Sequence, residues 1–199
     1  MRQASAAGID RFVIVANDDN HRLLREQADV LRPGRVTVRI QDGDEAPASA
    51  LTGLAATDDD DVLLCCTNDL VPDGTFGRVM SADQGAPALT ITTTRLKWVF
   101  TGGMLDLDDD GRLRKIIEKP PGGCPPGAAV NIFIHRYHGA AAISQLISTL
   151  SHTRDYEMTV NDLIRAGLAA HMVHVDRWVG IKSRHDVQRA REEFSDQLV

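Results

Sequence analysis

"DLDDDGRLRKIIEKPP", residues Asp106–Pro121, opens with acids at alternate positions and then a glycine, and can be read as a calcium loop or as a turn between strands. Aspartates at 106, 108 and 110, followed by Gly111, match the opening of an EF-hand calcium loop. Such a loop closes with a bidentate glutamate at its last position, but that position is Ile117 here, and Glu118 falls one place late. The residues after the glycine set Leu113 and Ile116 among charged neighbours, a pattern that suits a strand rather than a helix. The stretch therefore reads as a β-hairpin that turns at Asp109-Asp110-Gly111, where Asp and Gly tolerate positive φ.

Around the hairpin, "PALTITTT" (Pro87–Thr94), "WVFTGGMLDLD" (Trp98–Asp108) and "AAVNIFIH" (Ala128–His135) read as strands with short connections, so antiparallel pairing is expected. The first third has a different rhythm. "RFVIVAN" (Arg11–Asn17), "RVTVRI" (Arg35–Ile40) and "DDVLLCCT" (Asp60–Thr67) read as strands. Between them lie two helical stretches. In the first, Asn20–Leu31, the residues Leu23, Leu24, Ala28 and Leu31 share one side and Pro33-Gly34 ends the helix. The second is Ala46–Thr57. Strand and helix in alternation imply a parallel sheet, with the continuous run at Asp60–Thr67 buried on both faces. The C-terminal third reads as a helix at His138–Leu150, a helix from Thr159 ending at Gly167, strands within Ala170–Ile181, and a last helix capped by Ser183. No repeat or linker divides the 199 residues, so a single domain over 1–199 is expected.

Composition narrows the function classes. A formal charge of −6 argues against a nucleic-acid backbone as main partner. No window is long and apolar enough to span a bilayer, and the N-terminus lacks the apolar core of a signal peptide, so a cytoplasmic protein is expected, with no membrane partner. The bias toward Ala, Arg, Asp and Gly fits a bacterial genome rich in GC. Cys65, Cys66 and Cys124 show no paired spacing and are expected as buried free thiols. The pairs His135/His138 and His171/His174 are three apart, which on a strand places them on opposite faces and makes a poor chelate. Asp58–Asp61 reads as a solvated loop.

The hairpin and its surroundings resemble the sugar-phosphate nucleotidyltransferases. In that family a strand with a substrate-contacting glycine turns at D-G-R/K-V and returns as I-x-E-K-P; Gly103, Gly111-Arg112 and Glu118-Lys119-Pro120 match it. In the family's order, "VLLCCTNDLV" resembles the strand ending in N-G-D, with Asp69 at the aspartate, and "VNIF" resembles the V-N-I-Y of the cytidylyltransferase branch. "YEMTVNDLIRAGL" and "DRWVGIKSRHDVQRA" resemble two later motifs, so the likeness covers nearly the whole chain. The resemblance implies a three-layer α/β/α sandwich, Rossmann-like, with a mixed sheet. It implies transfer of a nucleotidyl group from an NTP to a sugar phosphate or phosphorylated alcohol, with Mg2+ as cofactor. Lys119 would contact phosphate as the catalytic residue, Gly103, Glu118 and Asn131 would bind substrate, and Asp69 would hold the metal.

Three departures qualify that picture. The family's glycine-rich L-A-A-G-x-G-T-R-L loop is absent, and Met1 falls about where the helix after it should finish, so the first strand-loop-helix unit is expected to be lacking. The residues aligned with the second metal carboxylate are Gly180 and Lys182, and "APASA" (Ala46–Ala50) replaces G-T-A-x-A. A Lys182 ammonium beside Asp69 would stand in for the cation. The expected consequences are a homodimer or a complementing subunit that repairs the sheet, and a degenerate active site. Three functions follow: a nucleotidyltransferase that is impaired or active only with a partner or a longer chain, a non-catalytic regulatory or scaffolding pseudoenzyme subunit, or a metal-free α/β enzyme that reuses the pocket.

Overall fold

The computed structural model describes residues 1–31, 35–82 and 88–197. Its first part runs α1 (Arg2–Ala6), β1 (Phe12–Ala16), α2 (His21–Leu31), β2 (Val36–Ile40), α3 (Ala46–Leu54) and β3 (Asp61–Cys65). The alternation of strand and helix gives parallel pairing of β1 with β2, Phe12 opposite Val36 through Ala16 opposite Ile40. It does not extend to β3, which runs antiparallel to a later strand instead. The expected parallel sheet is thus limited to two strands. Helix α2 buries Ala28, whereas Leu23 is 60% exposed, so the apolar side is narrower than the sequence implies. Pro33-Gly34 and the Leu31 side chain lie outside the described residues.

A short β4 (Asp69–Leu70) and α4 (Thr75–Ser81) lead into β5 (Ala88–Arg95). The hairpin follows as β6 (Gly103–Leu107) and β7 (Leu113–Glu118), antiparallel with Gly103 opposite Glu118. Asp108 organises the turn: its carboxylate accepts from the backbone N–H of Asp110 at 3.0 Å and of Arg112 at 2.8 Å, and Gly111 has φ 77°. The acidic run is therefore spent on an Asx-type turn.

Strand β8 (Ala129–His138) is the centre of the molecule. One edge pairs along its length with β5; the other is shared, β3 holding Ile134–His138 and β6 meeting Val130. Both faces of β8 are covered, so its apolar residues need not alternate with polar ones. Ala129 and Tyr137 join the core under α3, α5 (Ala140–Leu150) and α6 (Tyr156–Arg165), while Val130, Ile132 and Ile134 join the opposite core with Val79 of α4 and Trp178. The chain ends with β9 (Ala169–His174), parallel to β5, then β10 (Val179–Gly180), paired with β4, and α7 (Arg184–Glu193). Asp155 caps α6 by accepting from Met158 N–H at 2.8 Å, Gly167 at φ 94° follows its end, and Ser183 caps α7.

The run of threonines in β5 has a structural task. Between Ile91, opposite His135, and Thr92, opposite Ile132, the register slips, leaving Phe133 and Ile134 of β8 as a bulge. Thr92 Oγ1 donates to the Ile134 carbonyl at 3.0 Å and Cys66 N–H to the Phe133 carbonyl at 3.1 Å, so the displaced carbonyls are satisfied. Asp61 is no solvated loop residue: both its oxygens accept, at 2.7 Å each, from the Arg136 guanidinium, whose side chain is 2% exposed. Among the described residues, no strand is hydrogen-bonded to the second edge of β1 or to the second edge of β3. No helix of the described residues is long and apolar enough to cross a membrane.

Candidate functional site

Along the shared edge of β8, β3 ends before β6 begins, and the sequence-predicted residues gather at that fork. Gly103 leads β6 and faces Glu118 across the hairpin. A Cβ built on Gly103 would lie 3.0 Å from Ile116 Cγ2, 3.2 Å from Asn131 Cβ and 3.3 Å from Glu118 Oε2, so these side chains close on the glycine and leave little room for a side chain there. Asn131 is 9% exposed, and among the described residues its Nδ2 donates to no protein group, while its Oδ1 is bonded to His135.

Lys119 has φ 44°, the only positive φ at a non-glycine among the described residues. Such a backbone costs about 1–2 kcal/mol for an L-residue, and residues held this way concentrate at functional sites. The Lys119 N–H is tied to the Gly102 carbonyl at 3.1 Å, and its ammonium lies 3.3 Å from Glu118 Oε1 while 70% exposed. The lysine is thus held at the rim with its charge facing water.

Glu157, at the start of α6, completes the group and was given no role from sequence. Burial, then the negative charge of Glu118, raises its carboxyl above the ordinary range, and Lys119 works against that rise. Its signal in the sequence is the second letter of "YEMTVNDLIRAGL".

Asp69 lies across the fork on β4, opposite Gly180 of β10. Burial raises its carboxyl from 3.8 to about 6, against the Trp178 indole N–H, which donates to Oδ1 at 3.1 Å, and the charge of Lys182. The Lys182 charge is therefore felt at Asp69, without a direct ion pair among the described residues. A Cβ at Gly180 would lie 3.0 Å from the Trp178 ring and 3.3 Å from Asp69 Oδ1, so a side chain there would crowd both. These residues do not fit a protein-held Mg2+. One carboxylate with an oxygen already engaged, a neighbouring glycine and a lysine make a poor shell for a hard cation, and no three His, Cys, Asp or Glu side chains cluster among the described residues.

Cys65 and Cys66 are exposed, contrary to the buried thiols expected; only Cys124 is buried. Cys66 opens to water between the two halves of the site. Crowding by surrounding protein, and then Asp69, push its thiol up to about 11, with Glu157 adding and Lys182 opposing. Two clefts among the described residues, of about 250 and 310 Å³, lie elsewhere, one on β2 and one beside Met172 and His174.

No protein-family model and no curated protein matches the sequence. Solved structures do match in three dimensions. A protein from Bacillus anthracis described as a glucose-1-phosphate thymidylyltransferase, in complex with a sucrose, superposes with TM-score 0.80 at 13% identity, over 99% of this chain and 81% of that one. A UDP-glucose pyrophosphorylase complexed with UDP-glucose gives 0.77 at 14% identity, over 98% and 84%. The UTP-bound UGPase of Acinetobacter baumannii gives 0.72 at 17% identity, over 97% and 79%. The chain has the fold of sugar nucleotidyltransferases, with a central mixed sheet and flanking helices.

Proposed function

We propose that this protein binds a phosphorylated sugar or alcohol at the fork of β3, β6 and β8, as the acceptor half of a nucleotidyltransferase. The observation that carries the reading is the convergence of Gly103, Glu118, Asn131 and the left-handed Lys119 at the end of one hairpin, beside β8. The Lys119 ammonium neutralises the acceptor phosphate; the Glu118 carboxylate accepts from, and the Asn131 amide donates to, groups on the carbon skeleton. Gly103 lets that skeleton approach the backbone. The neighbours support the ligand class: one is complexed with UDP-glucose and one is UTP-bound.

Nucleotidyl transfer further needs a cradle for the triphosphate, and the sequence carries no glycine-rich loop of that kind. A complementing subunit, a second copy or a longer form of the chain is the proposed source. A second reading, a non-catalytic regulatory subunit, is favoured by one specific arrangement: Asp69 with its oxygen engaged by Trp178, beside Gly180 and Lys182. A thermal-shift panel separates the two. Sugar phosphates and phosphocholine, with and without each nucleoside triphosphate and Mg2+, are added to the wild type and to Lys119→Ala. Stabilisation by a phosphorylated acceptor that Lys119→Ala abolishes is the expected result. A magnesium-dependent shift by one triphosphate, with pyrophosphate release, establishes the transferase; a shift by the acceptor alone establishes the regulatory subunit. No shift by any phosphorylated acceptor refutes the acceptor site.

A further inference from the structure

Behind Asn131 runs a buried chain of polar side chains. Tyr137 Oη lies 2.7 Å from Tyr156 Oη, Tyr156 Oη 3.1 Å from His135 Nδ1, and His135 Nε2 2.8 Å from Asn131 Oδ1. Tyr137 and His135 have no exposed surface and Tyr156 has 2%. On a regular strand, residues 131 and 135 would be separated by about 13 Å of backbone; the bulge at Phe133-Ile134 shortens that span and lets their side chains meet.

The proton positions in this chain are decided by counting donors. Burial holds the His135 imidazole down to about 3, only partly offset by the Ile132 carbonyl, so the ring is neutral and carries one N–H. Two arrangements satisfy the three contacts. In the first, Tyr137 donates to Tyr156, Tyr156 to His135 Nδ1, and His135 Nε2–H to Asn131 Oδ1. In the second the Asn131 amide is turned so that Nδ2 donates to His135 Nε2, His135 Nδ1–H donates to Tyr156 and Tyr156 to Tyr137, and the Tyr137 O–H is left to donate into the core, where among the described residues Tyr156 is its only partner. A buried donor without an acceptor is the costly outcome, which favours the first arrangement; the Ile132 carbonyl beside the ring can only accept and adds no donor to the count.

We propose that Tyr137, Tyr156 and His135 act as a positioning relay that fixes the Asn131 amide with its N–H groups toward the fork, opposite the acceptor-only Glu118 carboxylate. This rests on the acceptor-site reading above and deepens it. A pure donor facing a pure acceptor across Gly103 reads a hydroxyl-bearing carbon, whose oxygens accept from Asn131 and whose hydrogens go to Glu118. An alkylammonium or a bare hydrocarbon satisfies only one side or neither. His135 does not touch the ligand; it sets which atom Asn131 shows it.

Two measurements test the relay. Nitrogen-15 NMR of the histidine rings in the wild type at neutral pH, with His135→Gln for assignment, is expected to show His135 as the Nε2–H tautomer. The Nδ1–H tautomer overturns the proposal whether or not any sugar phosphate binds. The second measurement compares glucose 1-phosphate with inorganic phosphate by calorimetry in the wild type and in Tyr137→Phe and Tyr156→Phe. Loss of one oriented hydrogen bond is expected to weaken glucose 1-phosphate by roughly two- to tenfold, with inorganic phosphate unchanged on Lys119. Equal losses for both ligands, or no loss for either, overturn the relay's role at the site. A wild type that binds neither ligand defeats the acceptor-site reading and leaves the tautomer to decide the relay.

Discussion

Asp69→Asn provides a quantitative test of the electrostatics at the fork. The substitution is nearly isosteric and keeps an oxygen to accept the Trp178 indole N–H, so packing and that hydrogen bond survive. The charge does not. Burial raises the Asp69 carboxyl from 3.8 to about 6 in the folded protein. At about 1.4 kcal/mol per tenfold change in proton affinity, the ionised form costs about 3 kcal/mol at neutral pH. That figure is a ceiling because Asp69 keeps partial access to water, and about 1–3 kcal/mol is the expected gain for the variant at pH 7.5. The folded wild type binds more protons than the unfolded chain between about 3.8 and 6, so its stability falls as pH rises through that window. The advantage of Asp69→Asn must therefore shrink on acidification, to about a third of its neutral value by pH 4.5. Glu157 shifts in the same direction but is common to both proteins and cancels in the comparison. Urea unfolding of the two proteins at pH 4.5, 5.5 and 7.5 measures it, and a melting-temperature gain of about 2–4 °C per kcal/mol should accompany it. A gap independent of pH, or a variant less stable than wild type at pH 7.5, refutes the reasoning.

Other perturbations probe what holds the fork in place. Asn161 accepts from the Ile116 N–H at 2.6 Å and donates to the Ile116 carbonyl at 2.8 Å, clamping α6 to β7; Asn161→Leu should cost about 2–3 kcal/mol in urea unfolding and speed amide exchange at Ile116. Arg136→Met leaves Asp61 without its bidentate partner and should cost about 3–5 kcal/mol, more than Asp61→Asn, by the same assay. Mass spectrometry after native maleimide labelling should find Cys65 and Cys66 modified and Cys124 protected until unfolding. The Cys66 rate should climb steadily with pH, because its thiol is pushed up to about 11.

Much of the fold could be read from local signals. The Asp108–Gly111 turn, the strand β8, Gly167 behind α6 and the Ser183 cap each have a cause confined to a few residues, and each appears where that cause places it. Gly103, Glu118 and Asn131 could be named from motif order, and the hairpin register follows from the turn. Pairing partners were less legible. "DDVLLCCT" has the composition of a strand buried in a parallel sheet, yet β3 runs antiparallel to β8, and Cys65 and Cys66 face water because no described strand pairs with the far edge of β3. Composition reports how apolar a strand is; its neighbour is chosen by segments more than sixty residues away.

The relay and the Asp61–Arg136 pair carry the same lesson. Each joins groups whose separation in sequence says nothing of their contact. A bulge that no residue pattern announces brings His135 to Asn131, and β3 beside β8 turns the last aspartate of an acidic run into the partner of a buried guanidinium. Most strands, the longer helices, the Ser183 cap and the residue types gathered for a phosphate and its carbon skeleton were legible in the amino-acid order, because those depend on short-range backbone preference and side-chain chemistry; α1, α4 and the Asp155 cap were not. The tertiary structure alone decided which oxygen is engaged, which amide hydrogen is presented and which carboxyl is raised, because burial and hydrogen-bond direction depend on what lies across the fold.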